Sequence, residues 1–213
     1  MTSLNWQRTV EQIALRNRRY RILGFTSVAS DAGVSLISRL TAKALSESGC
    51  RTLLVDLSQA VLAEGNAKAG TMSNIAGAIT NSANGFDILS FSGDDGRKIP
   101  RMVDLRDFLR TEVAGYDNVV LDMPAVLDND GEKLSAVSIS AICDAMLLVC
   151  ALGKDSRVEI DEVVNLIKGG GTQLVGVVSN EGFNTDTVYA ALRRWSRIFK
   201  RRSPTAEPSG STA

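Results

Sequence analysis

Residues 27–35 have the outline of a phosphate-binding loop. The stretch reads Ser-Val-Ala-Ser-Asp-Ala-Gly-Val-Ser and lies between an apolar run and a segment with helical periodicity. In a Walker A loop, backbone N–H groups surround the phosphates, a lysine reaches the β and γ oxygens, and a Ser or Thr hydroxyl binds Mg²⁺. Gly33 and Ser35 fit this pattern, whereas Val34 stands where the lysine is expected. The loop therefore predicts a phosphate site without its main cation.

Two aspartates end apolar runs elsewhere in the chain. Asp56 follows Thr-Leu-Leu-Val, and Asp122 follows Asn-Val-Val-Leu. At such positions aspartates commonly cap loops or helix N-termini, and a serine at a helix start, such as Ser35, is commonly a helix cap. Gly33 suits a tight turn whether or not a phosphate binds.

Composition excludes several classes of function. The chain has 24 Lys and Arg residues and 24 Asp and Glu residues, so its overall charge does not indicate a nucleic-acid partner. It has no histidine, which excludes histidine-dependent catalysis and removes the commonest zinc ligand. Its three cysteines are too few and too scattered for a disulfide framework. These counts favour a reducing, cytoplasmic location.

Apolar runs that are typical of buried parallel strands alternate with helical patterns. This alternation predicts an α/β fold with a doubly wound, mostly parallel sheet and helices on both faces. Ligands of such sheets bind beyond the carboxyl ends of the strands, where the 27–35 loop is expected. The strands are predicted at residues 21–26, 51–57, 86–91, 118–123, 145–151 and 174–179, and two of the helices at 34–48 and 101–114.

We expect three regions along the chain. Residues 1–19 are predicted to form a polar helix with a solvated face, residues 20–202 a single P-loop-like domain, and residues 203–213 a disordered tail rich in Pro, Ser and Gly. No apolar run approaches the ~20 residues needed to cross a bilayer, and residues 1–6 lack a signal-peptide pattern. We therefore expect a soluble chain, or one attached to a membrane through a partner.

Residues 187–200 read as an amphipathic helix with a basic end. A basic helix end complements the helix macrodipole, which is a purely structural explanation. Basic residues beside aromatic ones also suit an anionic membrane surface or an acidic partner. Both interpretations stay open. The candidate contact surface consists of Arg193, Arg194, Trp195, Arg197, Phe199 and Lys200.

The order strand, phosphate-type loop and helix, followed by the aspartate-ended runs at residues 52–58 and 115–127, resembles the cytoplasmic domain of bacterial tyrosine kinases. These kinases are partners of polysaccharide co-polymerases and belong to the MinD/ParA group of P-loop proteins. The resemblance covers about residues 20–182. It implies that Asp56 is the Walker A′ aspartate, Asp122 the Walker B aspartate and Ser35 the Mg²⁺-ligating hydroxyl. It also implies a nucleotide site formed by Ser30, Asp31, Gly33, Val34, Ser35 and Asn180, with Asn180 near the base.

The departures from this family concern charge. Val34 replaces the Walker lysine, and Ala29 stands where MinD/ParA members keep a second lysine. Asp31 stands where the family has glycine, and a carboxylate beside a polyphosphate adds repulsion of about 4 kcal/mol at an effective dielectric constant near 20. After Asn180 there is a single tyrosine, Tyr189, where the kinases carry a tyrosine cluster. Tight ATP binding and phosphoryl transfer are therefore not expected.

We expect a catalytically degenerate relative of the kinases that acts as a regulatory or scaffolding component of exopolysaccharide or capsule synthesis and export. Its implied partner is a membrane co-polymerase or another export component, with homo-oligomerisation left open and any membrane contact peripheral, at the inner face. No cofactor is expected, although weak binding of Mg·ATP or Mg·ADP stays open. The alternatives are a residual ATPase or tyrosine kinase, and a MinD/ParA-like positioning ATPase.

Overall fold

The computed structural model describes residues 3–61, 75–82, 84–91, 98–99, 101–128 and 134–180. The described residues belong to one compact unit within residues 1–182. The helix predicted at residues 187–200, its contact surface and the 203–213 tail all lie outside the described residues. The boundaries proposed at residues 19 and 202 remain predictions.

Seven strands form one sheet in the part of the chain that the structure describes. The strands are β1 Ile22–Ser27, β2 Thr52–Asp56, β3 Thr80–Asn81, β4 Asp87–Ser90, β5 Asn118–Asp122, β6 Ala145–Ala151 and β7 Leu174–Asn180. Their order in the sheet is β3-β4-β2-β5-β1-β6-β7. All neighbouring strands are parallel except β3, which pairs antiparallel with β4 at the edge. The predicted doubly wound α/β fold is confirmed.

Helices cover both faces of the sheet. The described helices are α1 Ser3–Asn17, α2 Val34–Glu47, α3 Met102–Asp107, α4 Ala136–Ser140 and α5 Arg157–Gly169. One apolar cluster joins the strands to α3, α4 and α5, and a second joins them to α1 and α2. Among the described helices, none is long and apolar enough to span a lipid bilayer.

Three elements differ from the sequence prediction. Strand β3 was missed because it has two residues and exists only through its pairing with β4. Helix α1 is not simply polar, since Val10, Ile13 and Ala14 are buried in the cluster that includes α2. The helix predicted at residues 101–114 changes character after Asp107, where a π-helical turn, Phe108–Glu112, continues α3.

Gly24 lies in the central strand β1, where three sulfur atoms crowd its backbone. A Cβ atom at this position would lie 2.4 Å from Met146 Sδ, 2.7 Å from Cys143 Sγ and 2.8 Å from Met123 Sδ. We expect Gly24→Ala to lower the free energy of unfolding by about 1 to 3 kcal/mol through overpacking. Urea unfolding measures the loss, with Gly169→Ala as the matched control.

The control separates crowding from the general effect of adding a methyl group. No atom lies within 4 Å of a Cβ built on Gly169, which ends α5. Alanine is also the better helix former, so this control is expected to keep or slightly raise stability. Equal stability of Gly24→Ala and the parent would show that the sulfur atoms give way without cost.

Candidate functional site

The 27–35 loop connects the end of β1 to the start of α2, as a phosphate loop does. Strand β1 ends at Ser27 and α2 begins at Val34. Gly33 has φ +90° and ψ +23°, in the left-handed region that glycine adopts without strain. Asp31 is exposed and also left-handed, with φ +64°, a conformation that aspartate tolerates better than most residues. The loop therefore has the backbone turns of a phosphate loop with an outward acidic side chain.

Asn180, at the end of β7, packs against this loop. Its Nδ2 donates a hydrogen bond of 2.7 Å to the carbonyl oxygen of Ala32, and the side chain is buried. A Cβ built on Gly33 would lie 2.6 Å from that same Nδ2. Gly33 is thus required both for its positive φ and for the space that Asn180 fills. The structure places the predicted base-reading residue where it supports the loop backbone.

The segment after β5 supports the loop from another direction. Val126 N–H donates to Ser27 O at 2.9 Å, and Leu127 N–H donates to Val28 O at 3.0 Å. Ser30 N–H then donates to Asp128 Oδ2 at 2.7 Å. A carboxylate of the chain itself therefore occupies one outward N–H of the loop. Sequence reasoning missed Asp128, which belongs to no motif and is 98 residues from its partner.

Val34 directs its side chain into the protein. It is 8% exposed and belongs to the apolar cluster between the sheet and helices α1 and α2. In a functional phosphate loop, the side chain at this position carries the ammonium group that contacts the phosphates. Here it contributes only to packing, so the loop itself supplies no cationic side chain.

Asp56 and Asp122 lie side by side on neighbouring strands. Their Cα atoms are register partners in the β2–β5 pair, at the carboxyl ends of both strands. The Asp56 carboxylate accepts hydrogen bonds from Ser58 N–H at 3.1 Å and Ser58 Oγ at 2.7 Å. The fold therefore brings the two predicted metal ligands together at the edge of the sheet from which the loop leaves β1.

Asp122 is fully buried, and this dominates its chemistry. The pKa of its carboxyl is raised to about 7, mainly by burial and in smaller part by the neighbouring Asp56, whereas Ser35 and Arg39 act in the opposite direction. The Ser35 hydroxyl lies close but does not meet hydrogen-bond geometry, so both carboxylate oxygens lack a partner among the described residues. A buried carboxylate without a partner is costly.

This donor set fits a hard divalent cation. The Asp122 carboxylate and the Ser35 hydroxyl offer the oxygen ligands that Mg²⁺ takes beside a phosphate, with Asp56 next to them. No group of three or more acidic or cysteine residues in the described part of the chain could hold a metal ion by itself. A cation here would therefore need further ligands from a bound phosphate or from water.

The chain is similar to bacterial tyrosine kinases in both sequence and fold. Tyrosine-protein kinase CpsD of Streptococcus agalactiae is 22% identical over 205 residues, which cover 89% of this chain and 88% of CpsD. The kinase domain of the Escherichia coli tyrosine kinase ETK superposes with a TM-score of 0.61 at 19% identity, covering 96% of this chain and 77% of that domain. The predicted resemblance is confirmed.

MinD is a second structural relative. The septum site-determining protein MinD of Pyrococcus horikoshii, solved in complex with Mg·ADP, has a TM-score of 0.57 at 21% identity and covers 80% of this chain and 76% of its own. No family model matches the chain. The fold is therefore that of the tyrosine-kinase domains and of MinD-like P-loop proteins.

Within this kinase-like fold, Asn180 yields a direct test of the loop. We expect Asn180→Ala to lower the free energy of unfolding by about 1 to 3 kcal/mol, because the buried carbonyl of Ala32 loses its donor. Hydrogen exchange of the amides at residues 32–35 should also become faster. The neighbouring, exposed Ser179 provides the control Ser179→Ala. Unchanged loop exchange in Asn180→Ala would contradict a supporting role for Asn180.

Proposed function

We propose that this chain is a catalytically degenerate, kinase-like protein that acts as a regulatory or scaffolding component of exopolysaccharide or capsule synthesis and export. The observation that carries the proposal is Val34, whose apolar side chain is buried where a Walker loop presents its lysine. Phosphoryl transfer depends on positioned positive charge around the phosphates. Without that charge, the fold serves as a surface for other proteins.

Two further features of the loop support the loss of catalysis. Asp31 adds a negative charge in a left-handed turn where the kinases have glycine. The Ser30 N–H is already bonded to the Asp128 carboxylate. Both features weaken anion binding by the loop. The acidic side chains repel a phosphate, and the loop has one fewer backbone N–H free to bind it.

The biological process is inferred from the resemblance. Bacterial tyrosine kinases work beside polysaccharide co-polymerases, so we propose a co-polymerase or another export component as the partner of this chain. The protein would then act in the cytoplasm at the inner face of the membrane, held there by that partner. Self-association is compatible with this role but is not required by it.

A residual ATPase or tyrosine kinase is the second candidate. The arrangement of Ser35, Asp56 and Asp122 favours it, because these residues keep the oxygen ligands that would hold Mg²⁺ beside a phosphate. Bound Mg²⁺ would supply charge stabilisation for phosphoryl transfer. This candidate needs a cation from outside the 27–35 loop to replace the missing lysine.

The two candidates differ in turnover. The purified full chain is incubated with Mg·ATP, alone and with the cytoplasmic segments of a co-polymerase from the same organism. We expect no phosphate release and no phosphotyrosine above the level of the protein-free control. Binding to the co-polymerase, measured by co-purification, should be equal with and without Mg·ATP. Partner-dependent phosphate release would contradict the scaffold proposal and favour the residual enzyme.

A further inference from the structure

Arg39 shares a face of α2 with Ser35. Residues four and eleven positions after Ser35 lie within about 40° of it around a helix, which places Arg39 and Ser46 on the same side. Ser46 Oγ donates a hydrogen bond of 2.5 Å to the carbonyl oxygen of Gly85, just before β4. This face of α2 therefore looks toward the β2 and β4 side of the sheet, and Asp56 ends β2.

The guanidinium of Arg39 is available at this position. Arg39 is exposed, and no hydrogen bond or ion pair holds its side chain in the part of the chain that the structure describes. It is near enough to Asp122 to interact with that carboxylate electrostatically. A charge that acts on Asp122 would also act on a phosphate bound at the 27–35 loop beside it.

We propose that Arg39 is the cation of this site, in place of the lysine that Val34 has replaced, and that it contacts the phosphates of a weakly bound nucleoside diphosphate. Arginine suits this role because its planar guanidinium donates two parallel hydrogen bonds to phosphate oxygens. Approach from the helix face, rather than from within the loop, leaves Val34 in the core. This inference rests on one part of the proposed function, that residues 27–35 are a former phosphate loop. It does not require that the chain has lost catalytic activity.

Calorimetric titration of the full chain with Mg·ADP, at concentrations that detect millimolar binding, tests this role. We expect Arg39→Ala to weaken Mg·ADP binding at least tenfold and Arg39→Lys to weaken it less, because lysine keeps the charge but not the bidentate geometry. Arg16→Ala is the matched control. Arg16 is also exposed, but it lies in the last turn of α1, close to the amino-terminal end of β1, whereas the 27–35 loop follows the carboxyl end of that strand.

Adenosine separates a phosphate contact from a structural role. If Arg39 only offset the charge of the buried Asp122, its removal would change the stability of the fold and would affect the binding of adenosine and of Mg·ADP alike. We expect Arg39→Ala to leave any adenosine binding unchanged while weakening Mg·ADP. The Arg39→Lys variant keeps the comparison possible if Arg39→Ala fails to fold.

Two outcomes would overturn the proposal. The first is equal Mg·ADP affinity of Arg39→Ala and the parent, which would leave the phosphate site without a role for Arg39. The second is no detectable binding of Mg·ADP to the parent. That result would remove Arg39 as a ligand-binding residue but leave the scaffold proposal standing, because the scaffold is tested by turnover and partner binding.

Discussion

Replacing Val34 by lysine and Asp31 by glycine is expected to raise the affinity for Mg·ATP by about two orders of magnitude or more. Because the Asp31 side chain is exposed, removing its carboxylate relieves only part of the repulsion of about 4 kcal/mol expected at contact distance, and each ~1.4 kcal/mol is tenfold in affinity. The lysine adds attraction of the same kind. Glycine also suits the backbone, because Asp31 has φ +64°. Calorimetric titration of the double variant against the parent measures the gain.

Burial of Val34 determines the control for this experiment. The methylene groups of a lysine can stay in the apolar cluster while the ammonium reaches outward, as lysine side chains commonly do. Val34→Met with Asp31→Gly provides a long side chain without the charge. We expect this control to gain only the part of the affinity that comes from residue 31. If the lysine double variant binds no better than the parent, the 27–35 segment is not a former phosphate loop.

The centre of the sheet was predictable because strands β1, β2, β5 and β6 are buried on both faces. Continuous apolar runs such as residues 118–123 and 145–151 leave little choice of structure, and the observed strands begin and end within one or two residues of them. Strand β3 had no such signal. The buried face of α1 did have one, because Val10, Ile13 and Ala14 follow the three- and four-residue spacing of a helix face.

The site was predictable only where its residues belong to local motifs. Gly33 and Ser35 follow from the loop pattern, and Asp56 and Asp122 from their places at the ends of apolar runs. The contacts made by Asn180 and Asp128 could not be read in this way. Asn180 is 148 residues from Ala32, and Asp128 is 98 residues from Ser30, so strand order rather than sequence pattern sets these pairs.

Arg39 stands between these two cases. Its four-residue spacing from Ser35 is visible in the sequence, but its nearness to Asp122 depends on how α2 is rotated against β2 and β5. The four-residue spacing therefore predicts that Ser35 and Arg39 share a face of the helix, whereas the packing of α2 on the sheet determines which residues that face lies against. The charge of the site is consequently a property of the fold as much as of the loop.

The pH dependence of stability provides the second large prediction. The Asp122 carboxyl has a pKa of about 7 in the folded chain, compared with 3.8 for an unperturbed aspartate. Between these values the folded state holds a proton that the unfolded state has released. The free energy of unfolding therefore falls as the pH rises from about 4 to about 7 and stays low above that. At ~1.4 kcal/mol per pKa unit, this group alone costs up to about 4 kcal/mol.

Asp122→Asn is expected to remove most of this dependence and to raise stability at pH 8 by several kcal/mol, because an amide carries no charge into the core. Urea unfolding between pH 5 and pH 8.5 in buffer with EDTA measures it, since the chelator keeps divalent cations away from the carboxylate. Asp161→Asn, at an exposed position on α5, should leave the parent's pH profile unchanged. Parallel profiles of Asp122→Asn and the parent would show that Asp122 is solvated or paired in solution. In that case, burial of the ionised Asp122 carboxylate would not lower the stability of the fold.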